Sequence, residues 1–375
     1  MINKILYSCL SRSWGGMEMR TISGIEQLLD RKINTELLCY SGSRIHSEAL
    51  KRDFTVFTLE VPSYFHPLEI MKTVRFLKRK NYDLIHTQAS HDLWLLVPAL
   101  NLIRSKTPLI LTKRVGSFID KTDFLHRKLY SRVDVTIAIS NVIKQNLMST
   151  TSLTENKIKL IHNGVDLTKF NIDNAERTEV RQEFDFDEDD IVIGLVGRFS
   201  PGKGHEEFLY AASKLRPRNS HLKFFIVGEP SYGELEYATS IKKMSVDYGL
   251  DDCVVFSGYR SDIPDVLSAM DIFTFPSHSE AFGQSLVEAM AMGRPSICSN
   301  SDGVLDIAVD GETSLLFESR SAEDFTAKLK KMIDSPDIWM QFGDAAVQRV
   351  HDNFDLVKQT DKLIDLYESL MAQQK

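Results

Sequence analysis

Cysteine is scarce: Cys9, Cys39, Cys253 and Cys298 are the whole complement, and no two stand at the short spacings of a metal knuckle or a disulfide staple. This excludes a disulfide framework and predicts reduced thiols. Long apolar runs are missing as well. No stretch approaches the roughly 20 residues that a membrane-spanning helix requires. The apolar core of the opening MINKILYSCLSRSW is too short for a secretory signal. The expectation is a cytoplasmic protein. There is no internal repeat and no low-complexity tract, and no Asp-x-Asp pair stands in a turn suited to hold a metal, so no metal is expected.

What is present is a globular composition. The 375 residues are 43% hydrophobic and 26% charged, enough for two domains of ordinary size, each with its own core. The net charge of –7 is unevenly divided: residues 1–170 carry +10 and residues 171–375 carry –17. A basic half suits an anionic partner such as a phosphorylated acceptor, a nucleic acid or a membrane surface, and uneven solvated faces produce the same split.

One stretch organises the chain, Pro276 to Pro295, reading PSHSEAFGQSLVEAMAMGRP. An apolar run ending at Phe275 leads into a polar turn. From Gly283 onward, Leu286, Val287, Ala289, Met290 and Ala291 recur at helical spacing, and Gly293-Arg294-Pro295 stops the helix. This is strand, turn, helix. The backbone N–H groups of Phe282 to Ser285 fall at the helix start, where an anion is favoured. Glu280 and Glu288 bracket that perch. A carboxylate on either side of a phosphate suits a ligand with hydroxyls on both flanks, as in a sugar nucleotide. An ordinary βα unit with two solvated glutamates has the same spacing.

In the first half, strands are expected at 4–8, 35–40, 55–59, 84–86, 109–112 and 136–139, alternating with helical patterns at 67–79, 92–103, 121–132 and 141–149. Such alternation predicts a parallel, doubly wound sheet. Its ligands gather at the C-terminal strand edge, where His86, Gln88 and His91 fall, and Gly15-Gly16 makes a turn that a phosphate can approach closely. The pattern MKTVRFLKRK places Lys72, Arg75, Lys78, Arg79 and Lys80 on an amphipathic helix. Arg114, Lys121, Arg127, Lys128 and Arg132 add further positive charge. Each is worth about 1 kcal/mol near an anionic leaflet, so peripheral membrane binding is an expectation.

The second half opens on strand 191–196 and the loop Gly197-Arg198-Phe-Ser-Pro-Gly202-Lys203-Gly204. Its G-x4-G-K spacing approaches a phosphate-binding Walker loop, but Gly204 stands where the Mg²⁺-ligating Ser or Thr belongs and Pro201 removes a donor. The alternative is that Arg198 and Lys203 meet a diphosphate as two fixed cations.

With that context, SEAFGQSLVEAMAMGRP resembles the signature of the retaining GT-B glycosyltransferases of family 4. GGMEMRTISGIEQLL resembles their first βα junction, Ile161–Phe170 their interdomain junction, Arg198-x4-Lys203 their cationic pair and Gly258-Tyr259-Arg260 their nucleobase loop. The likeness spans most of the chain and is most specific from 194 to 311. It implies an α/β GT-B fold, two Rossmann-like doubly wound domains facing a central cleft. Residues 1–165 with helix 357–375 would form the acceptor domain and 170–356 the nucleotide-sugar donor domain.

The resemblance further implies Glu280 on donor-sugar hydroxyls, Glu288 on the ribose diol, and Arg198 and Lys203 stabilising the leaving diphosphate. Gly15, Gly16, Gly197, Tyr259, Arg260, Ala281, Phe282, Gly283, Gln284 and Ser285 would complete the donor site. Family members commonly carry a histidine at the position of Gln88, which cannot act as a base, so the acceptor proton passes to His86, to His91 or to the donor phosphate.

The implied activity is retaining, metal-independent transfer of a sugar from a UDP-, GDP- or ADP-sugar to an acceptor hydroxyl, with no cofactor, in polysaccharide or lipopolysaccharide assembly. A saccharide or lipid-linked saccharide would be the acceptor, at the inner face of the membrane. Two rivals share parts of the pattern: a non-hydrolysing sugar-nucleotide 2-epimerase and a P-loop-like nucleotide-binding module. Nucleic acid is not expected as a partner, because the basic residues lack aromatic interleaving.

Overall fold

The computed structural model describes residues 2–61, 67–231 and 233–373; the outermost residues of the expected domain ranges, 1, 374 and 375, lie outside them. The chain divides into two compact units, Met1–His162 with Val357–Lys375, and Asn163–Leu356.

Unit 1 holds seven strands: β1 (Lys4–Cys9), β2 (Asn34–Tyr40), β3 (Val56–Leu59), β4 (Leu84–Thr87), β5 (Leu109–Lys113), β6 (Val135–Ala138) and β7 (Ile158–Leu160). All pair in parallel, in the order β3-β2-β1-β4-β5-β6-β7. A parallel sheet is covered on both faces, so its strands read as continuous apolar runs. β5, Leu-Ile-Leu-Thr-Lys, is buried at every position. One core face gathers Ile5, Tyr7, Ile22, Ile25, Leu37, Leu84, Ile110 and Ile137. Tyr367 and Leu370 of the terminal helix Leu356–Ala372 join that core.

Unit 2 repeats the scheme with six strands: β8 (Ile191–Val196), β9 (Leu222–Val227), β10 (Val254–Gly258), β11 (Ile272–Phe275), β12 (Ser296–Ser299) and β13 (Ser314–Phe317). Their order is β10-β9-β8-β11-β12-β13, again all parallel. Phe208, Phe224, Phe317 and Phe325 anchor its core and are fully shielded from solvent. Each such side chain contributes about 1.5–3 kcal/mol on burial.

Both units are thus Rossmann-like doubly wound sheets. Strand order reverses between β1 and β4 in unit 1 and between β8 and β11 in unit 2. At such a reversal the connections diverge to opposite faces and leave a crevice beyond the C-terminal strand ends. Elements that escaped the sequence pattern include β7, the helix Arg44–Leu50, the helix Arg177–Glu183 and the longer helix His205–Leu215. β7 buries only Ile158 of its three residues, so it has no apolar run to read.

Candidate active site

In unit 2 the loops after β8 and β11 meet at the strand reversal. The Lys203 ammonium is ion-paired with the Glu280 carboxylate, which it meets through Oε1. The two loops are locked together beneath this pair. The His278 N–H donates to the Gly202 carbonyl at 2.8 Å, and His278 Nε2 lies 2.6 Å from Glu207 Oε1. Gly204 has φ +78°, and a Cβ there would stand 2.3 Å from the Pro276 carbonyl oxygen. That contact explains the missing Walker hydroxyl: no Ser or Thr fits at 204, and the P-loop reading fails on sterics.

The helix Gln284–Ala291 starts at Gly283, whose φ of 119° is a left-handed-region conformation that favours glycine. The Ser285 hydroxyl donates to the Val196 carbonyl at 3.1 Å, fastening the helix start to the end of β8. Gln284 Nε2 donates to Glu288 Oε1 at 3.1 Å, so Glu288 is held one turn inside the helix. The Gly303 N–H donates to the Glu280 carbonyl at 3.0 Å. A Cβ on Gly303 would stand 2.7 Å from the Phe282 Cα, so the turn at 302–303 braces the 280–283 loop. Phe282 is buried, and Ala281 beside it is half-buried.

Arg198 and Lys203 do not converge on a shared carboxylate. Gly197 hydrogen-bonds back to Val227, and Arg198 turns toward the loop after β9, where its Nε lies 3.3 Å from Glu234 Oε2 and its Nη1 3.4 Å from Ser231 Oγ. Glu234 was invisible as a partner because it lies 36 residues away in sequence. The Arg198 side chain keeps 55% of its surface exposed, which leaves it reachable by a ligand. Tyr259 is exposed at the end of β10, while Arg260 is held in place by Asp262 and Glu183.

In unit 1, Asp92 stitches the other strand reversal. Its carboxylate accepts from Ser8 Oγ at 2.6 Å, from Thr87 Oγ1 at 3.1 Å and from the Leu10 N–H at 3.3 Å. Burial nevertheless lifts its pKa to about 6, with those donors opposing. The sequence offered no signal for Asp92 beyond its place after a strand.

His86 points into the core. Its Nδ1 lies 2.5 Å from the Tyr367 hydroxyl and its Nε2 2.7 Å from Thr112 Oγ1, and solvent barely reaches the ring. Burial, reinforced by the Arg114 charge, drives its pKa down to about 3. Both nitrogens are engaged within the core, which corrects the expectation of His86 as acceptor base. Gln88 is buried and its Oε1 accepts from Arg114 Nη2 at 3.0 Å. His91 is half-buried, with its pKa lowered by burial. At the first helix start the Gly15 N–H is taken by Glu18 Oε2 at 2.9 Å, and a Cβ on Gly16 would meet open space.

The basic helix Pro67–Arg79 is partly neutralised. Lys72 pairs with Glu69 at 2.8 Å, and Lys80, just beyond its end, pairs with Glu36 at 3.1 Å. Arg75, Lys78 and Arg79 are exposed. A second surface went unread in the sequence. Val115, Phe118, Ile119, Phe124 and Leu125 are all more than half exposed, and Phe118 is fully so. They flank Lys121 and precede exposed Arg127 and Lys128. The signal was there in VGSFIDKTDFLHRK, a loop and the start of the helix Phe124–Ser131, richer in large apolar residues than their surface position warrants.

This architecture, two Rossmann-like units with parallel sheets, is the GT-B fold. The chain superposes on Anabaena Alr3699/HepE, a structure in complex with UDP and glucose, with a TM-score of 0.84 at 21% identity, covering 98% of this chain and all of that one. The family model of glycosyl transferases group 1 matches residues 176–349, and that of glycosyltransferase family 4 matches residues 14–169. The chain belongs to this family: it is a family 4 glycosyltransferase.

Among curated relatives, it is similar to the D-inositol 3-phosphate glycosyltransferase of Saccharomonospora viridis. The two are 25% identical, over 96% of this chain and 90% of that protein. It is also similar to an Escherichia coli UDP-Gal:alpha-D-GlcNAc-diphosphoundecaprenol alpha-1,3-galactosyltransferase, at 24% identity over 97% of this chain and 96% of that protein. No helix among the described residues is long and apolar enough to cross a membrane.

Proposed function

We propose that the protein transfers a sugar from a UDP-sugar to a hydroxyl of a saccharide or lipid-linked saccharide, with retention at the anomeric carbon and without a metal or other cofactor. The Lys203–Glu280 ion pair at the β8/β11 reversal is the observation that carries this reading. A sugar-nucleotide donor brings both partners that the pair needs. Its sugar hydroxyls take the place of the ammonium on Glu280, and its diphosphate takes Lys203. The start of the helix Gln284–Ala291 offers further N–H donors to the same anion.

As the bond from the anomeric carbon to the diphosphate breaks and the bond to the acceptor oxygen forms, negative charge grows on the diphosphate, where Arg198 and Lys203 stabilise it. The acceptor hydroxyl's proton goes to the departing phosphate oxygen on the same face; His86, with both nitrogens engaged, does not take it. GDP or ADP sugars would fill the same cradle; the UDP in the Anabaena structure favours uracil.

The E. coli relative is named for transfer to a diphosphoundecaprenol-linked sugar, and we place this chain in the same class of polysaccharide or glycolipid assembly. The exposed apolar segment 115–125, a loop running into the helix Phe124–Ser131, with its basic flank supports work at the inner face of a membrane. A thermal-shift panel of UDP, GDP and ADP with and without EDTA tests the donor site. A rise with UDP that EDTA leaves unchanged supports the reading, and a rise only with Mg²⁺ overturns the metal-free part. The anomeric configuration of the product, read by NMR, decides retention.

A further inference from the structure

A cavity of about 100 Å³ lies beyond the C-terminal ends of β4 and β5, lined by Ser90, His91, Trp94, Lys121, His126 and Tyr130. Lys113, the last residue of β5, is buried behind it, with Nζ 3.4 Å from Ser90 Oγ. Its ammonium stands close enough to that of Lys121 for the two charges to act on each other. Among the described residues neither lysine meets a carboxylate. The acids of the loop are turned elsewhere: Asp123 onto His126 and the Leu125 N–H, Asp120 onto the Thr122 N–H.

Two amines brought together with no counter-charge repel, and burial removes the water that would screen them. Both effects act on Lys113, whose pKa is pushed down to about 8, by burial first and by the Lys121 charge second. A fold that tolerates this arrangement gains when an anion in the cavity bridges the two groups. The Ser90 hydroxyl, within reach of both Lys113 and Tyr130, adds a neutral donor at the same place. The space is ample for one tetrahedral oxyanion with its hydration.

We propose that this cavity is the seat of a phosphate group carried by the acceptor, gripped by Lys113, Lys121 and Ser90. The assignment rests on reading unit 1 as the acceptor side. It narrows the acceptor to a phosphate- or diphosphate-bearing molecule, whether a lipid-linked saccharide or a soluble sugar phosphate.

The test is calorimetry on the full chain with UDP at saturation, so that the donor site cannot take the titrant. The titrants are inorganic phosphate, inorganic pyrophosphate and farnesyl diphosphate. Saturable binding is expected, weakened about 10-fold or more in Lys113→Met and in Lys121→Met, the loss expected for one charge-assisted contact. Lys113→Arg should retain most of it. UDP binding by the same variants should stay as in the wild type, because the cradle for UDP lies in the other unit. Farnesyl diphosphate binding 10-fold tighter than pyrophosphate assigns the group to a lipid carrier, and equal affinities assign it to a soluble phosphate.

Absence of saturable binding, or equal binding by the methionine variants, overturns the proposal even where UDP binds normally. Failure of UDP to bind the wild type overturns the donor reading instead, and the Lys121→Met comparison then still decides the cavity. Lys121 is half-exposed, so its variant serves if Lys113→Met does not fold; melting temperature without ligand checks both.

Discussion

Lys203 and Glu280 pair across the strand reversal of unit 2, one on the loop after β8 and one on the loop after β11, with 27% and 15% of their side-chain surfaces exposed. Partial exposure means a ligand can enter the pair and divide it. Glu280→Gln keeps the shape and removes the charge. It is expected to lower turnover by about 10²–10³-fold, the scale for losing one preorganised polar contact in a transition state. UDP affinity should stay within a few-fold or tighten, since Lys203 loses its competing carboxylate. Steady-state kinetics with UDP calorimetry checks both, and turnover at the wild-type rate would remove Glu280 from the donor site.

Lys203→Met removes the cation and keeps most of the stem. A charge-assisted hydrogen bond contributes about 1.5–3 kcal/mol, so UDP should bind roughly 10–100-fold more weakly, with uridine binding little changed. Equal weakening of UDP and uridine would show that the loop had collapsed and that the diphosphate contact was not the cause.

Gly204→Ala tests whether the loops after β8 and β11 must touch. The backbone there is left-handed and the added methyl would meet the Pro276 oxygen at 2.3 Å, so either the backbone shifts or the Lys203–Glu280 pair separates. Loss of stability by about 1–3 kcal/mol is expected from the strain, with activity falling further than stability. A variant with unchanged melting temperature and turnover would show the contact to be slack.

The fold was legible because both sheets are parallel and buried on two faces, which writes their strands as plain apolar runs such as Ile191–Val196 and Leu109–Lys113. The Glu280 to Glu288 stretch was legible because its strand, turn and helix are consecutive in the chain. What could not be read was pairing at long range. Nothing in the sequence joins Arg198 to Glu234, and Tyr367, which takes a hydrogen bond with His86, lies 281 residues further on. Histidine at a strand end has two fates, site or core, and only the residues packed around it decide between them.

The exposed apolar loop of unit 1 gives a prediction about membranes. Seating Phe118 and Phe124 in a bilayer interface would bury apolar surface worth about 1.5–3 kcal/mol for each ring. The double change Phe118→Ser and Phe124→Ser is therefore expected to cut co-sedimentation with anionic vesicles at least 10-fold. Added salt should weaken the wild type's binding through Arg127 and Lys128. Equal co-sedimentation of the variant removes the loop from any role at the bilayer.

His86 and Asp92 leave opposing marks on the pH dependence of unit 1. Native His86 titrates at about 3, far below the usual 6.5. As pH falls below about 6.5 the unfolded chain therefore takes up a proton that the native chain refuses, and stability drops. Asp92, raised from the usual 3.8 to about 6, does the reverse. Between those values the native state holds a proton that the unfolded state has lost, so its contribution grows as pH falls from about 6 toward 4. In that window the two nearly cancel. His86→Gln removes one and leaves the other. The variant starts less stable at pH 7, having lost its bonds to Tyr367 and Thr112. Its deficit should shrink as pH is lowered to 5, by up to about 2 kcal/mol at about 1.4 kcal/mol per unit. Melting curves of both proteins at pH 5, 6 and 7 read this directly, and a constant deficit would mean that native His86 accepts a proton near its ordinary pKa.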